Sequence, residues 1–165
     1  MPMKYVTNIE DKVELIQKSF SDLIGSEISG YEIAQMWCEE EQEWSDWMDL
    51  PLYLTIDEKV LSISWTKFDD LAIDLGRFIP FSLGGTSVRW LCEDVEMLDS
   101  ILGNKVVSIS LGRGDMTIEE KDVEIWTRLL ITLSNGSTFE IYNALDENAF
   151  KLHSIEIDGV VRKCI

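Results

Sequence analysis

The residues of this sequence best suited to acid–base chemistry are its adjacent carboxylates. Two carboxyl groups held at a fixed separation can act as acid and base, as in glycoside hydrolysis. Neighbouring side chains on a strand point to opposite faces, so an adjacent pair does not by itself form such a site. An enzyme that combines carboxylates from different segments therefore stays open. The adjacent pairs considered for this role are Glu40 and Glu41, Asp69 and Asp70, and Asp146 and Glu147.

A single histidine, His153, is the other candidate for proton transfer. Histidine is the usual base near neutral pH, but no pattern in the sequence places a nucleophile beside it. The chain also lacks a Gly-x-Ser-x-Gly elbow, a phosphate-binding Gly-rich loop and a His-Glu-x-x-His motif. Clustered carboxylates suit calcium, yet no EF-hand spacing occurs. We therefore expect no enzymatic activity, no metal and no cofactor, with a carboxylate- or metal-dependent enzyme as the alternative.

The most unusual segment is 37–49, which reads Trp-Cys-Glu-Glu-Glu-Gln-Glu-Trp-Ser-Asp-Trp-Met-Asp. It contains six carboxylates, no base and three of the chain's six tryptophans. Dense like charges repel one another, whereas tryptophan favours burial and is enriched at contact hot spots. The segment is therefore either a solvated rim with buried rings or a surface for a partner. Its predicted partner-binding residues are Trp37, Glu39, Glu40, Glu41, Glu43, Trp44 and Asp46.

A second acidic segment, 115–124, resembles the first in its place along the chain. It leads into Trp126 as the first leads into Trp47. We predict that these two equivalent tryptophans belong to the core, whereas Trp37 and Trp44 are freer to contact a partner. The second segment adds three predicted partner-binding residues, Glu119, Glu120 and Asp122.

A weak internal repeat connects the two acidic segments at an offset of 77–79 residues. Residues 21–25 match 99–103, and residues 40–47 match 119–126. Each unit would contain a helix, a strand, an acidic loop, a strand, a tight turn and a strand. The sequence thus predicts two related halves, at about 20–75 and 98–152, within one domain spanning 1–165.

Helical periodicity predicts a helix over residues 9–24, capped by Asn8. A shorter helix is predicted over 93–102, and a third could follow Asn143 through Leu152. Alternating apolar residues predict strands. They cover 27–33, 48–56, 60–65, 71–75, 105–111, 125–133 and 138–143.

The remaining segments are predicted to connect and close the fold. Residues 78–87 contain Pro and a Gly pair and form a connector that packs on the fold, and residues 155–161 form a last hairpin. Runs of strands without strict helix alternation indicate an α+β fold, mainly antiparallel β with an N-terminal amphipathic helix.

Charge is the strongest compositional signal. Fourteen bases against 31 acids give a net charge of −17 and a pI near 4.2. Such a field would repel nucleic acid and anionic membranes and attract a basic protein. Solubility alone is the simpler explanation of the acidity.

The lack of a recognisable targeting signal predicts a cytoplasmic location. Three widely separated cysteines argue against a disulfide framework, and the sequence shows neither a signal-peptide pattern nor an apolar run long enough to span a bilayer. The sequence does not indicate an oligomeric state.

In overall character the chain resembles the immunity proteins of bacterial toxin systems, which are small, acidic, tryptophan-containing α+β proteins without catalytic motifs. The Leu-Ile-Gly at 23–25, the Ile-Leu-Gly at 101–103 and the Asn-Ala-Leu-Asp-Glu-Asn at 143–148 are similar to features of such families. The resemblance implies a protein that neutralises a cognate toxin, often a basic nuclease, by covering its active site with carboxylates. A structural or regulatory subunit is a further alternative.

Overall fold

The computed structural model describes residues 3–165, which form two antiparallel sheets and two short helices. At this level the predicted α+β class, mainly antiparallel β with an N-terminal helix, is confirmed. The elements are α1 (Ile9–Phe20), β1 (Ile28–Cys38), β2 (Glu43–Asp46), β3 (Leu52–Ile56), β4 (Lys59–Thr66), β5 (Asp70–Leu75), β6 (Val88–Leu91), α2 (Glu96–Ile101), β7 (Val106–Ile118), β8 (Lys121–Leu133), β9 (Thr138–Asn143), β10 (Asn148–His153) and β11 (Val161–Lys163).

The two sheets share one hydrophobic core. The first has the order β2-β1-β3-β4-β5, with β6 also paired to β1, and the second has the order β10-β9-β8-β7-β11. Apolar residues from both sheets, α1 and α2 belong to the same buried cluster. Trp65 on β4 ties the sheets together, since its indole N–H donates to the Ile141 carbonyl of β9 at 2.9 Å.

Helix α1 begins as predicted and ends earlier. The Asn8 side chain accepts a hydrogen bond from the Asp11 N–H at 2.9 Å, which caps the first turn. The helix stops at Phe20 instead of residue 24. The reason is a competing pairing: Gly25, with φ of +90°, donates its N–H to the first residue of β7 and so draws the chain away from the helix axis.

Helix α2 is likewise shorter than the predicted helix over 93–102. Asp94 has φ of +64°, a left-handed conformation that a right-handed helix cannot include. The N–H of Val95 donates to the Tyr31 hydroxyl at 3.2 Å instead of continuing a turn upstream. The helix therefore begins at Glu96, with Leu98 and Ile101 buried.

The halves meet in a near-symmetric set of hydrogen bonds. Glu27 and Lys105 form an isolated antiparallel bridge. Beside it, Gly25 donates to the first residue of β7 at 2.7 Å, and Gly103 donates to the first residue of β1 at 2.9 Å. A shift of 78 residues converts one bond into the other. Each half also contains a four-stranded meander, β1-β3-β4-β5 or β7-β8-β9-β10. Descent of the halves from one unit stays a prediction.

The acidic segments were predicted as loops, and this prediction is wrong for residues 43–46 of the first segment and for most of the second. Strand β1 continues to Cys38 and pairs with β2 after a turn over 39–42, and β7 and β8 continue to a turn at Glu119 and Glu120. Both turn glutamates have positive φ, 51° and 64°, which suits a two-residue hairpin turn. Because many residues of these segments are charged, apolar and polar side chains do not alternate regularly, and the sequence pattern did not indicate strands there.

The third predicted helix is wrong, because residues 148–153 form β10 and pair along β9. Leu145 and Asp146 have φ of 57° and 75°, which a helix cannot include. The Asn143 amide does not cap a helix; it donates to the carbonyls of residues 66–68 at 3.2, 3.1 and 3.0 Å.

The predicted hairpin over 155–161 is also wrong. Strand β11 instead pairs with β7, in the second sheet. The connector over 78–87 does pack on the fold, as its Phe78 carbonyl accepts from the Tyr53 hydroxyl at 2.8 Å and Phe81 lies 5.7 Å from the Trp47 ring.

Candidate functional site

The tip of the β1–β2 hairpin brings together two of the predicted partner-binding tryptophans. Trp37 and Trp44 are direct cross-strand partners. Their ring centroids are 5.5 Å apart and their planes meet at 64°, which is the favourable edge-to-face arrangement. Both rings are only partly buried. They therefore form an apolar surface that is fixed in place and still accessible.

A row of polar side chains across three strands supports this pair. Arg89 on β6 places its Cζ atom 4.5 Å from the centre of the Trp44 ring. Its Nε donates to Gln35 Oε1 at 2.9 Å, and Gln35 Nε2 donates to Asp46 Oδ1 at 2.8 Å. Stacking an arginine on an indole orients the ring and covers part of one face. The tryptophan pair is thus held before any partner arrives.

The predicted carboxylates surround the tip and face solvent. Glu39, Glu40, Glu41, Glu43 and Asp46 are all exposed. Within residues 3–165, none of them lies within 4.0 Å of a basic group. Their charge is therefore not neutralised by a contact ion pair inside the described chain.

The second acidic hairpin lacks the aromatic component. Glu119 and Glu120 form its turn, and Asp122 accepts a hydrogen bond from the Thr117 hydroxyl at 3.2 Å. Where the first hairpin has facing tryptophans, this one pairs Met116 with Val123. It is acidic without an aromatic anchor.

The structure does not bring the two acidic hairpins into one surface. They belong to different sheets. Their first strands, β1 and β7, start at the antiparallel bridge between Glu27 and Lys105 and run from it in opposite directions. A single partner surface containing all ten predicted residues is therefore not assembled in one chain.

Both Trp47 and Trp126, predicted as core residues, are only partly buried. The prediction is wrong for Trp47, whereas Trp126 packs against the hydrophobic core. Each indole N–H reaches a nearby carboxylate: Trp47 donates to Asp49 at 3.3 Å and Trp126 to Glu124 at 3.1 Å. The tryptophan that is fully buried is Trp65. Its place in the alternating β4 strand, between polar neighbours, was the signal for that role.

Three of the groups considered for acid–base chemistry already have a polar partner within the described chain. The Asp69 carboxylate lies 3.8 Å from Lys12 Nζ, and Asp146 Oδ1 accepts from the Thr66 hydroxyl at 2.7 Å. His153 Nε2 lies 2.7 Å from Glu140 Oε1. In the part of the chain that the structure describes, no group of three or more His, Cys, Asp or Glu residues is placed to hold a metal ion.

Lys12 is a perturbed residue that sequence reasoning missed. It lies on the buried face of α1, 1% exposed, and its Nζ donates to the Trp126 carbonyl at 2.9 Å. The same atom is 5.4 Å from the centre of the Trp65 ring. Burial lowers the pKa of Lys12 to about 8, against an opposing effect of Asp69. Its spacing with Val13 and Ile16 on the apolar stripe could have indicated this burial.

Glu140 is a second missed group, buried on the outer face of β9 with 1% exposure. Arg128 donates to both of its oxygens, at 3.0 and 2.8 Å, and His153 approaches one of them. Burial raises the pKa of Glu140, but the bonds from Arg128 and His153 outweigh it and lower the pKa overall. Arg128 also donates to the Asp158 carbonyl at 3.0 Å and so holds the C-terminal segment.

No protein-family model, curated protein or solved structure matches the chain. Of the helices in residues 3–165, none is long and apolar enough to cross a membrane.

Proposed function

We propose that this chain is a non-enzymatic, acidic binding module that contacts a cationic protein through its β1–β2 hairpin. The observation that carries the proposal is the fixed, partly exposed Trp37–Trp44 pair bordered by carboxylates without a base in contact. Tryptophan and arginine are the residues most enriched at interface hot spots. Arg89 and the tryptophan pair give the tip that composition.

The two parts of the tip would contribute differently to binding. The rings supply apolar area at small entropic cost, because the hydrogen-bonded row of Arg89, Gln35 and Asp46 already limits their motion. The exposed carboxylates accelerate the encounter with a basic surface and help to exclude acidic partners. The tryptophan pair would therefore mainly determine the dissociation rate and the carboxylates the association rate.

The most specific form of the proposal is an immunity-like inhibitor of a basic toxin, acting in the cytoplasm of the bacterial cell that makes both proteins. A basic nuclease has cations in its active site where the substrate phosphates lie. An acidic tip could occupy that place in the substrate's stead, and the net charge of −17 supports attraction to such an enzyme.

The test uses the product of the open reading frame beside this chain's gene and two variants with equal charge change. The first is Glu40→Lys/Glu41→Lys/Glu43→Lys at the tryptophan-bearing tip. The matched control is Glu119→Lys/Glu120→Lys/Asp122→Lys at the other tip. Titration calorimetry at low and high salt would give the affinity of each. We expect the first variant to lose about tenfold or more and the control to lose much less.

Two results would contradict the proposed contact. Equal losses in both variants would mean that overall charge, and not the β1–β2 tip, attracts the partner. Unchanged affinity and salt dependence in the first variant would mean that the tip is not part of the interface.

A further inference from the structure

A cleft of about 650 Å³ lies between helix α1 and the β4–β5 hairpin, away from the acidic tips. Its volume is in the range of ligand and peptide sites. Leu15 from α1, Leu23 from the turn after it, and Leu61 and Ile73 from the sheet give it apolar walls. Strand β5 forms one of its sides, from Ile73 to Leu75.

The outer edge of β5 is hydrogen-bonded at one end of the cleft, at Leu71. Among residues 3–165, its outward backbone groups have no such partner beside the rest of the cleft. Val6 and Leu71 exchange both backbone hydrogen bonds, each at 2.9 Å. Because bonding direction alternates along a strand, the N–H and C=O groups of Ile73 and Leu75 also point away from β4. The bond from Gly76 N–H to the Val60 carbonyl at 2.7 Å agrees with this, since even-numbered residues of this segment face β4.

The N-terminal segment does not continue the pairing along this edge. Regular antiparallel register would place Lys4 opposite Ile73, yet no backbone hydrogen bond joins them in residues 3–165. Among residues 3–165, the outward backbone groups of Ile73 and Leu75 thus have no hydrogen-bond partner, and they lie beside a cleft with apolar walls.

Asp74, which also lines the cleft, has a carboxylate oxygen that needs a hydrogen-bond donor. Its Oδ2 is the buried side-chain polar atom left without a hydrogen-bond partner among the described residues. Burial raises the pKa of Asp74. Four carboxylates and three lysines line the cleft, so the excess charge is negative. A donor from a basic ligand would meet this unpaired oxygen.

We propose that this cleft binds an extended segment of a partner protein as an additional strand on β5, with apolar and basic residues alternating along the segment. Strand addition beside a helix is a recurrent mode of peptide recognition, in which backbone bonds give affinity and alternate side chains give specificity. Ile73 and Asp74 are neighbours on β5 and point to opposite faces. The apolar side chains of the segment therefore meet Leu15 and Leu61, and the basic ones lie on the face of Asp74.

Charge favours such a segment over a second copy of this chain. Pairing two β5 edges would bring together two molecules of net charge −17. The site is separate from the β1–β2 tip, so it does not depend on the proposed hairpin contact.

The probe is a synthetic peptide of alternating valine and lysine, observed by NMR on the whole chain. In the free protein we expect the Ile73 and Leu75 amides to exchange with solvent faster than the amides bonded to β4. On binding, both should become protected by about tenfold. A valine–glutamate peptide and a valine–lysine peptide N-methylated along one edge serve as controls, and neither should protect these amides.

A pair of variants removes the outward N–H without removing a bond to β4. Leu75→Pro eliminates that donor at an edge position where proline is tolerated, and Leu75→Val retains it. We expect Leu75→Pro to weaken peptide binding by about fivefold, the effect of one hydrogen bond, and Leu75→Val to bind as the natural chain does.

Three results would overturn the inference: no protection at Ile73 and Leu75, equal binding of the N-methylated peptide, or concentration-dependent protection without peptide, which would mean that a second copy occupies the edge. The N-methylated peptide keeps the test decisive if Leu75→Pro unfolds. The lysine variant of residues 40, 41 and 43 should bind the peptide normally, so this inference and the hairpin contact can fail separately.

Discussion

At the scale of single residues, Lys12 places a positive charge inside the core. Its folded pKa of about 8 lies below the ordinary value of 10.5. Between these values the unfolded chain binds more protons than the native one, so stability rises with pH across that window. Below pH 8 the full cost of burying the charged amine applies. That cost is roughly 3 kcal/mol.

Replacing Lys12 with methionine should therefore stabilise the protein at neutral pH. We expect Lys12→Met to raise the free energy of unfolding by about 1–3 kcal/mol at pH 7, because a hydrophobic side chain of similar length relieves the buried charge. The loss of the bond to the Trp126 carbonyl limits the gain. The gain should shrink as the pH rises from 8 to 10.5, which urea unfolding at both ends of that range would measure.

The control for this prediction is Lys18→Met, on the exposed face of the same helix. Its effect should be small and should not follow the same pH window. A Lys12→Met variant whose advantage stayed constant with pH would show that the native state does not bury a charged amine at this position.

At the scale of elements, side-chain bonds from neighbouring strands converge on Glu140 of β9. Arg128 on β8 and His153 on β10 both contact it, and Arg128 also bonds to the C-terminal segment. Because the folded pKa of Glu140 is lowered, its contribution to stability is present above pH 4.5 and is lost as the pH falls through the folded pKa.

Glu140→Gln keeps the shape of the side chain and removes its charge. We expect it to lower the free energy of unfolding by about 3 kcal/mol at pH 7, because a mostly buried arginine is left without its counter-charge. The deficit should shrink as the pH falls through the lowered folded pKa of the natural glutamate. Urea unfolding at pH 7 and over a series of decreasing acid pH values measures this.

Glu147→Gln is the control, since Glu147 is exposed. Its effect should stay within about 0.5 kcal/mol. A Glu140→Gln deficit that stayed constant over the whole acid series in which the protein remains folded would show that shape, and not charge, determines the role of residue 140.

Local signals predicted the elements that depend on local chemistry. Asn8 supplies a side-chain cap, so the start of α1 was predicted correctly. Residues 138–143 show strand alternation and are flanked by a Gly-containing turn and a corner, so β9 was also predicted correctly. The extent of β1 could not be predicted in this way, because residues 35–38 are half-buried on both faces of the strand and so show no hydrophobic alternation.

Other elements depend on contacts that are distant in sequence. The Asn143 amide bonds to carbonyls of residues 66–68, more than seventy residues away, and this turns a predicted helix into a corner before β10. The hairpin tip shows the same limit. Its tryptophans and carboxylates were predicted from sequence. The supporting roles of Arg89 and Gln35 were not, because they depend on the pairing of β6 with β1, which are far apart in sequence.

At the scale of the whole molecule, the two halves place similar acidic hairpins where they cannot act together. Strands β1 and β7 diverge from the bridge between Glu27 and Lys105. One hairpin carries an aromatic pair with a stacked arginine, and the other carries charge without such an anchor. This difference is the basis for assigning partner contact to the first hairpin.

Hydrogen–deuterium exchange of the complex with the product of the neighbouring open reading frame tests this assignment most directly. We predict that amides in residues 37–46 exchange about tenfold more slowly in the complex, while those in residues 115–124 remain unchanged. Slower exchange at 115–124 alone, or unchanged exchange over 37–46 in a formed complex, would contradict the account.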